Sequence, residues 1–431
     1  MYGNRILEAH NLFILEHEKE GKVLLYAPLA DSCLYVNDEQ IDGLVKACTD
    51  YEASDEEYRV AFNALTDVIP VSERDCHIRN ARDFLNLSIL PNNKCNFSCG
   101  YCYSARGRSS RQISWSQVKG MMEWFFSKER RPADGQKLHV TFYGGGEPLL
   151  SWKEVIRPAF DWLFDLMQNP VAPQFYITLI TNGSLLPDGF MEYCRKLSID
   201  LVCSYEILED VQNSQRRHFG LVTSNIHIMM QNGIIPAFNS VVTPLNVERQ
   251  EEMVYKVVSH FKDVRYLSFE PVIDVVPKED RRNFYDKFIL NFQKARAVAS
   301  VHGISLTCSA LRNVDVTVDR YCAGELALVA NGALSVCPCV SSPEEEDFSE
   351  YIYGNVSCEG EVDINLPRLH ELLSHDIYRQ PWCKNCFAKW NCGGGCTRLA
   401  EKRGMTQDLD FCYFMRFFIL QELINRMNET E

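Results

Sequence analysis

Cys95, Cys99 and Cys102 stand in the run Lys94-Cys-Asn-Phe-Ser-Cys-Gly-Tyr-Cys-Tyr103, spaced Cys-x3-Cys-x2-Cys. A cubane iron–sulfur cluster takes four thiolates. Three in one short loop hold three irons and leave the fourth open to a ligand from outside, where a substrate or cofactor can coordinate and take an electron. A zinc knuckle short of one ligand, or plain core cysteines, would use the same residue types, but zinc sites usually build on paired Cys-x2-Cys units.

Three β-rich runs follow, each ending in residues that could meet a ligand. His139-Val-Thr-Phe-Tyr143 ends at Gly144-Gly145-Gly146-Glu147-Pro148. Its glycines leave backbone bare for close approach, and Glu147 can accept a hydrogen bond from an ammonium group. Phe175-Tyr-Ile-Thr-Leu-Ile-Thr181-Asn182-Gly183 closes on a turn signal. Ile199-Asp-Leu-Val-Cys-Ser204-Tyr205-Glu206 comes next, with Arg216 shortly after it. The competing readings are an ordinary strand-to-helix turn at Gly144 and a solvated acidic loop at Glu206.

The C-terminal third carries a second cysteine pattern: Cys322, Gly332 and Cys337, then Cys383-x2-Cys386-x5-Cys392-x3-Cys396, then Cys412. Glycines between the ligands, as in Cys392-Gly-Gly-Gly-Cys396, suit tight loops that aim bare amides at sulfur. A structural zinc module on Cys383, Cys386, Cys392 and Cys396 is the alternative.

The cysteine motif, with the aromatic Tyr101 before its third member, resembles the signature of the radical S-adenosylmethionine (SAM) enzymes. The resemblance implies that the open iron chelates the amino and carboxylate groups of SAM. One electron then cleaves SAM to a 5′-deoxyadenosyl radical, which abstracts a substrate hydrogen. Gly145, Gly146, Glu147 and Pro148 match the family's Gly-Gly-Glu-Pro motif, which binds the SAM amino group. Thr181 and Asn182 match a strand end near the ribose, and Ser204, Glu206 and Arg216 match contacts to ribose or methionine. Here the chain departs from the family pattern: Glu206 replaces Asp, and Gln212-Asn213 replaces His-Asp.

The C-terminal pattern resembles the SPASM domain, an accessory module with two further [4Fe-4S] clusters, which implies three in all. Cys383, Cys386, Cys392 and Cys412 would hold the outer auxiliary cluster, and Cys322, Cys337 and Cys396 the inner one. The fourth ligand of the inner cluster stays open between Cys308, Cys339 and an iron left free for substrate. The family also implies an electron donor such as flavodoxin or ferredoxin.

These residues need a scaffold that brings strand ends together. Strand patterns at 85–89, 140–143, 176–180, 201–204, 237–242 and 266–271 alternate with helical ones such as 114–126 and 152–168. Such alternation predicts βαβ units and a parallel sheet. The resemblance implies a partial (β/α)6 TIM-type barrel over residues 85–302, with ligands at the C-terminal strand ends, and a SPASM domain over 303–431. Ahead of it, residues 1–84 read as strands at 12–18, 22–26 and 33–36, then helices at 39–48 and 56–65. This order resembles the winged-helix-like element that captures the leader of a precursor peptide on maturases of ribosomally made peptides. A plain structural cap on the barrel is the alternative.

Eighteen cysteines without a signal core or a membrane-length apolar run point to reduced thiolates on metal in the cytoplasm rather than a secreted disulfide scaffold. Cys33, Cys48, Cys76, Cys194, Cys203 and Cys358 lie outside the motifs and read as small buried residues. A net charge of −14 argues against a general nucleic-acid binder. The acidic runs at Glu56-Glu57 and Pro343-Glu-Glu-Glu-Asp347 read as solvated faces. The basic stretch Arg106-Gly-Arg-Ser-Ser-Arg111, with 128–131 beyond it, could meet an acidic partner or form a surface loop beside the cluster.

The function expected is peptide maturation through an intramolecular thioether or carbon–carbon cross-link. A sulfatase-maturing enzyme is disfavoured, because that subfamily places an aspartate base where Pro338 follows Cys337. A non-catalytic iron–sulfur or zinc scaffold is the other rival, and it would leave the Gly-Gly-Glu-Pro motif unused. No side chain stands out as a catalytic acid or base; Tyr205, Glu270 and Tyr285 are undistinguished candidates.

Overall fold

The computed structural model describes residues 5–69, 71, 78, 80–127, 135–272, 275–396, 398–399 and 408–429. The chain packs into two compact units. One comprises residues 1–77, 308–323 and 375–431, and the other residues 78–307 and 324–374. The C-terminal segment 303–431 is therefore shared between them.

In the first unit, helix α1 (Arg5–Ala9) precedes an antiparallel sheet of β1 (Phe13–Lys19), β2 (Lys22–Ala27) and β3 (Ser32–Val36), with β2 central. Glu20 and Gly21 both take positive φ, 54° and 74°, which closes the β1–β2 hairpin with a matching right-handed twist. Helix α2 (Asp38–Thr49) starts at a capping box between Asn37 and Gln40, and α3 (Glu56–Thr66) follows. Leu7, Leu12, Leu25, Val36 and Leu44 form the core, with Phe62 and Leu65 of α3 against it. The same unit contains the helices Ser309–Val314, Lys389–Cys392 and Leu409–Glu429. Glu56 and Glu57 are exposed, as expected.

The second unit is an α/β structure around one large, mostly parallel sheet. Strands β4 (Asn86–Ile89), β5 (Leu138–Phe142), β6 (Phe175–Thr181), β7 (Asp200–Ser204), β8 (Ala237–Val242), β9 (Tyr266–Pro271) and β10 (Ser305–Thr307) are adjacent in chain order, all parallel. Beyond β4 the sheet continues through β11 (Leu326–Leu328), parallel to it, and the antiparallel β12 (Ala333–Ser335), β13 (Ile352–Val356) and β14 (Val362–Ile364). Helices α4 (Trp115–Phe125), α5 (Arg157–Met167), α6 (Phe190–Lys196), α7 (Glu209–Gln215), α8 (Phe219–Gln231), α9 (Gln250–His260) and α10 (Arg281–Val301) fall between the parallel strands.

Strand alternation gives this sheet two unlike faces. Leu87, Val140, Phe142, Ile177, Leu179, Leu201, Phe238 and Phe269 form a buried apolar face. It meets the helical layer through pairs such as Phe142–Phe160, with ring centroids 5.4 Å apart. The opposite face carries Asn86, Ser88, His139, Thr141, Thr178, Ser204, Asn239 and Ser268, in register across β4 to β9. A parallel sheet covered by helices on both sides would read as continuous apolar strands. The polar face is thus one that can receive a ligand. Among the described residues no helix is long and apolar enough to cross a membrane.

Two expectations from composition are corrected. Cys358 is exposed, while Cys33 and Cys48 are only half-buried and Cys194 and Cys203 are buried as expected; Cys76 lies outside the described residues. Within 343–347, Glu345 is buried, because its carboxylate accepts the Ser341 N–H at 3.2 Å.

Candidate active site

The cysteine loop leaves the C-terminal end of β4 and is laced to the glycine turn that leaves β5. Asn92 donates to the Glu147 carbonyl at 3.1 Å and to Ser151 at 2.7 Å, and its own side-chain oxygen accepts the Lys94 N–H at 2.9 Å. The Glu147 N–H donates to the Lys94 carbonyl at 2.7 Å. Gly146 has to be glycine, because a Cβ there would lie 1.6 Å from the Lys94 oxygen. Gly145 has a φ of 63°, and Pro148 opens the short 3-10 turn that follows.

Glu147 is buried at 2 % exposure. One carboxylate oxygen accepts the Thr181 hydroxyl at 2.7 Å and the Leu149 N–H at 3.1 Å, and the other accepts the Asn182 N–H at 2.7 Å. Burial raises its pKa, with those three donors and Arg216 opposing the shift. The carboxylate thus ties the end of β5 to the end of β6. Asn182 donates to Asn96 at 2.9 Å, which anchors the cysteine loop to β6, and its amide lies 4.0 Å from the Cys95 sulfur.

Tyr101, Glu206 and Arg216 meet on the other side of the loop. The Tyr101 hydroxyl donates to Glu206 and accepts from Arg216 at 3.0 Å; Arg216 lies 3.8 Å from the carboxylate. Glu206 is fully buried, and desolvation outweighs Arg216, Tyr101 and the Val241 N–H to push its pKa up to about 7. Gln212, which stands where the family has His, is also fully buried and accepts the Glu206 N–H at 3.0 Å. Ile207, Arg217 and His218 all take positive φ (66°, 69° and 59°). Strain of this kind on non-glycine residues persists where packing over-determines the backbone. Ser204 ends β7 opposite Asn239 of β8.

Cys99 is close enough to Cys95 and Cys102 for their charges to add to the upward pKa shift that its burial causes. Arg108 donates to the Cys102 sulfur at 3.1 Å and to the Gly145 carbonyl at 2.6 Å. The basic stretch is therefore not uniformly a surface loop: Arg111 stays outside near Glu344, while Arg108 turns inward. Residues 128–131 lie outside the described ones. Buried polar atoms without a protein partner sit beside this network, at Arg216 Nε, Gln215 Oε1 and Asn239 Oδ1. Three adjacent thiols, a glycine cradle and these open polar atoms fit an iron–sulfur cluster with a polar cofactor beside it.

In the first unit Cys383, Cys386, Cys392 and Cys412 interact as one group, the set expected for the outer cluster. Burial pushes the Cys383 thiol up to about 12, so bound metal would be needed to hold it as thiolate. Cys322 is exposed, Cys396 half-buried and Cys308 buried, its sulfur accepting the Leu311 N–H at 3.4 Å. In the second unit Cys337 and Cys339 both lie near Tyr103. Among the described residues no three His, Cys, Asp or Glu side chains converge on a single ion. Tyr205 and Tyr285 are core residues, and Glu270 accepts the Ser268 hydroxyl at 2.9 Å.

Arg108, Asn92 and Asn96 escaped the sequence reading. The Asn92-Asn93 pair, two residues beyond a buried strand, was a legible signal for the second of these, whereas nothing marks Arg108 among its neighbours.

No family model matches the chain. A stretch of 176 residues is 26% identical to the radical SAM cyclopropyl synthase TigE of Paramaledivibacter caminithermalis, covering 36% of this chain and about a third (35%) of that protein. An uncharacterised Methanocaldococcus jannaschii protein is 22% identical over 70% of this chain and 98% of its own length. Among solved structures, anSMEcpe with bound AdoMet matches with a TM-score of 0.60 at 19% identity, covering 80% of this chain and 99% of that one. Streptococcus suis SuiB bound to its precursor peptide SuiA matches at 0.51 and 13%, covering 92% and 97%.

Proposed function

We propose that this chain, which resembles the radical SAM peptide maturases in sequence and in fold, installs an intramolecular cross-link, thioether or carbon–carbon, in a ribosomally made precursor peptide. The observation that carries the reading is the lacing of the three-cysteine loop to Gly145-Gly146-Glu147-Pro148 at the C-terminal ends of parallel strands. Cys95, Cys99 and Cys102 would hold a [4Fe-4S] cluster with one open iron. Bound there, SAM supplies a strong hydrogen-atom acceptor once the cluster delivers an electron.

The chain's own residues bind and orient. Glu147 and the bare backbone of Gly145 and Gly146 form the cradle for the amino group. Thr181, Asn182, Ser204, Glu206 and Arg216 flank the ribose and methionine, with Tyr101 fixing Glu206 against Arg216. Two auxiliary [4Fe-4S] clusters accompany this site. The mutual proximity of Cys383, Cys386, Cys392 and Cys412 supports the outer one; Cys322, Cys337 and Cys396 are assigned to the inner one, with Cys308, Cys339 or substrate as its fourth ligand. Strands β4 to β9 in chain order support a partial (β/α)6 barrel over 85–302, flanked by a leader-binding domain at 1–84 and a SPASM domain at 303–431. The setting is the cytoplasm, with flavodoxin or ferredoxin as electron donor.

The three-stranded sheet of the first unit supports leader capture, since a sheet edge is a template for an added strand. The test compares the full chain with one starting at Arg82, each incubated with SAM and with candidate precursor peptides, short Cys- or repeat-rich sequences sought in neighbouring reading frames. The full chain is expected to remove two hydrogens from the peptide, read by mass spectrometry. The shortened chain is expected to keep its clusters and SAM cleavage but lose turnover through a raised KM; a shortened chain that cannot hold its clusters would make residues 1–81 a structural cap, since 1–77 pack with 308–323 and 375–431. Unmodified peptide despite SAM cleavage by the full chain counts against the maturase reading.

A further inference from the structure

The short helix Lys389–Cys392 faces two ways within the first unit. It follows Cys386 and ends on Cys392, two of the four cysteines assigned to the outer cluster. The Lys389 N–H donates to the Cys386 carbonyl at 3.2 Å, and the Cys392 N–H to the Ala388 carbonyl at 2.8 Å. Its other side chains reach the N-terminal sheet. The Tyr26 hydroxyl, on β2, donates to Asn391 Oδ1 at 2.8 Å across 365 residues of sequence, and the Trp390 indole N–H donates to Asn11 Oδ1 at 2.9 Å. The Lys389 ammonium lies 5.7 Å from the centroid of the Phe13 ring on β1. Cys383 and Trp390 share a buried apolar cluster with Val71, and Leu29 packs against it.

Asn391 is 1 % exposed, and both ends of its amide are used. Oδ1 takes the Tyr26 proton, while Nδ2 donates to the Val314 and Val316 carbonyls at 3.2 and 3.3 Å. The amide thus joins three stretches of chain: the N-terminal sheet, the end of the helix Ser309–Val314, and the cysteine loop. One turn of helix does not persist by itself, and none of the four cysteines is in a disulfide. The turn is therefore held from two sides, by the metal that joins Cys392 to its fellow ligands and by the contacts to Asn11 and Tyr26. Structural metal binding is folding free energy for the loop that carries the ligands, and this loop also carries the anchor of the N-terminal sheet.

We propose that metal at the outer cysteines and the seating of the N-terminal sheet are coupled through Trp390 and Asn391, so that the sheet is held most firmly when the outer site is filled. This inference rests on the assignment of Cys383, Cys386, Cys392 and Cys412 to one metal site, and is independent of the bond made in the peptide. Coupling of this kind is reciprocal. A peptide strand paired on the sheet tightens the outer metal, and an empty outer site loosens the sheet that captures the peptide. Coupling on the usual scale of about 5–150-fold weakens a tightly held cluster without emptying its site. A chain starting at Arg82 therefore still fills the outer site but surrenders that metal to a chelator sooner.

The first arm of the test compares hydrogen exchange in the anaerobically reconstituted full chain with that in Cys412→Ser, which removes a ligand on the helix Leu409–Glu429 and leaves Tyr26, Trp390 and Asn391 in place. Amides of β1 and β2 are expected to exchange about 5–150-fold faster, while those of β4 to β9 keep their rates. Cys386→Ser gives the same comparison from a second ligand, should the first variant fail to fold. In the reverse arm, Tyr26→Phe keeps every cysteine and deletes one hydroxyl. The iron that Cys412→Ser lacks should then be withdrawn by chelator about ten-fold faster, the scale of one lost buried hydrogen bond. Unchanged exchange in β1 and β2 in the cysteine variants, or equal acceleration in β4 to β9, overturns the coupling, as does an unchanged rate of withdrawal from Tyr26→Phe. Tightly held zinc in place of iron, with both arms positive, would refute the outer cluster and keep the coupling. A chain that holds no metal on these cysteines would refute both.

Discussion

Replacing Gly146 with alanine tests the lacing between the cysteine loop and the glycine turn. The new Cβ would lie 1.6 Å from the Lys94 oxygen, 2.4 Å from its carbon and 2.5 Å from the Asn92 side-chain oxygen, where ordinary contact begins at 3.4 Å. The Lys94 carbonyl must retreat by about 1.8 Å, the difference between 1.6 Å and 3.4 Å. That movement breaks the 2.7 Å bond from the Glu147 N–H and pulls on Cys95, the next residue. Overpacking of this kind costs about 1–3 kcal/mol, which a domain of this size tolerates. The activity cost is larger, since a misplacement of about 1 Å can cost about a hundred-fold. Reductive SAM cleavage, followed as 5′-deoxyadenosine under dithionite, should therefore fall by at least about a hundred-fold on that scale, while the auxiliary clusters remain. Gly220→Ala is the control: its Cβ meets nothing within 4 Å on α8, and its activity should match that of the unmodified chain. Cleavage by Gly146→Ala within three-fold of the unmodified chain would refute the argument.

Arg108→Ala removes a charged donor from the Cys102 sulfur, and donors to cluster sulfurs raise the reduction potential. A charge-assisted bond of about 1.5–3 kcal/mol corresponds to about 60–130 mV for one electron; a potential more negative by that amount is expected in an EPR-monitored titration, and an unmoved one excludes the contact. Glu147→Ala leaves the buried Asn182 N–H without its acceptor at a cost of about 1–3 kcal/mol. It should weaken SAM binding about ten- to a hundred-fold with iron content unchanged; an unaltered affinity in calorimetry removes Glu147 from the cradle. His139 is held down to a pKa of about 4 by burial, below the 6.5 of the unfolded chain. The folded state thus resists a proton that the unfolded chain accepts: no penalty exists above pH 6.5, and stability falls as pH drops from there toward about 4. Discounted for partial exposure, the loss is about 1–2 kcal/mol; His139→Gln should flatten the urea midpoint between those pH values, and an unchanged slope contradicts it.

The longer elements were legible because they obey one period. The strand patterns at 237–242 and 266–271 form β8 and β9 over those spans, and α4 begins within the expected 114–126 at the Ser114–Gln117 capping box. The strands β10 to β12 and β14 escaped because three residues carry no measurable period. The paired site residues were legible as motifs: Glu147 does meet Thr181 and Asn182, and Glu206 does meet Arg216. Their partners were not. Arg108 reads like its solvated neighbours, and only the fold turns it toward sulfur. Glu345, inside an acidic run, is buried for the same kind of reason, since a local acceptor for the Ser341 N–H is a tertiary requirement.

The most direct measurement compares anaerobically reconstituted chain with its Cys95→Ala, Cys99→Ala, Cys102→Ala triple variant, for iron and for dithionite-driven SAM cleavage in the same preparations. Three cubanes predict about twelve irons per chain and steady release of 5′-deoxyadenosine. The triple variant should keep about two thirds of the iron and release none. Stoichiometric zinc with little iron, or undiminished cleavage by the variant, would contradict an open cluster on these three cysteines.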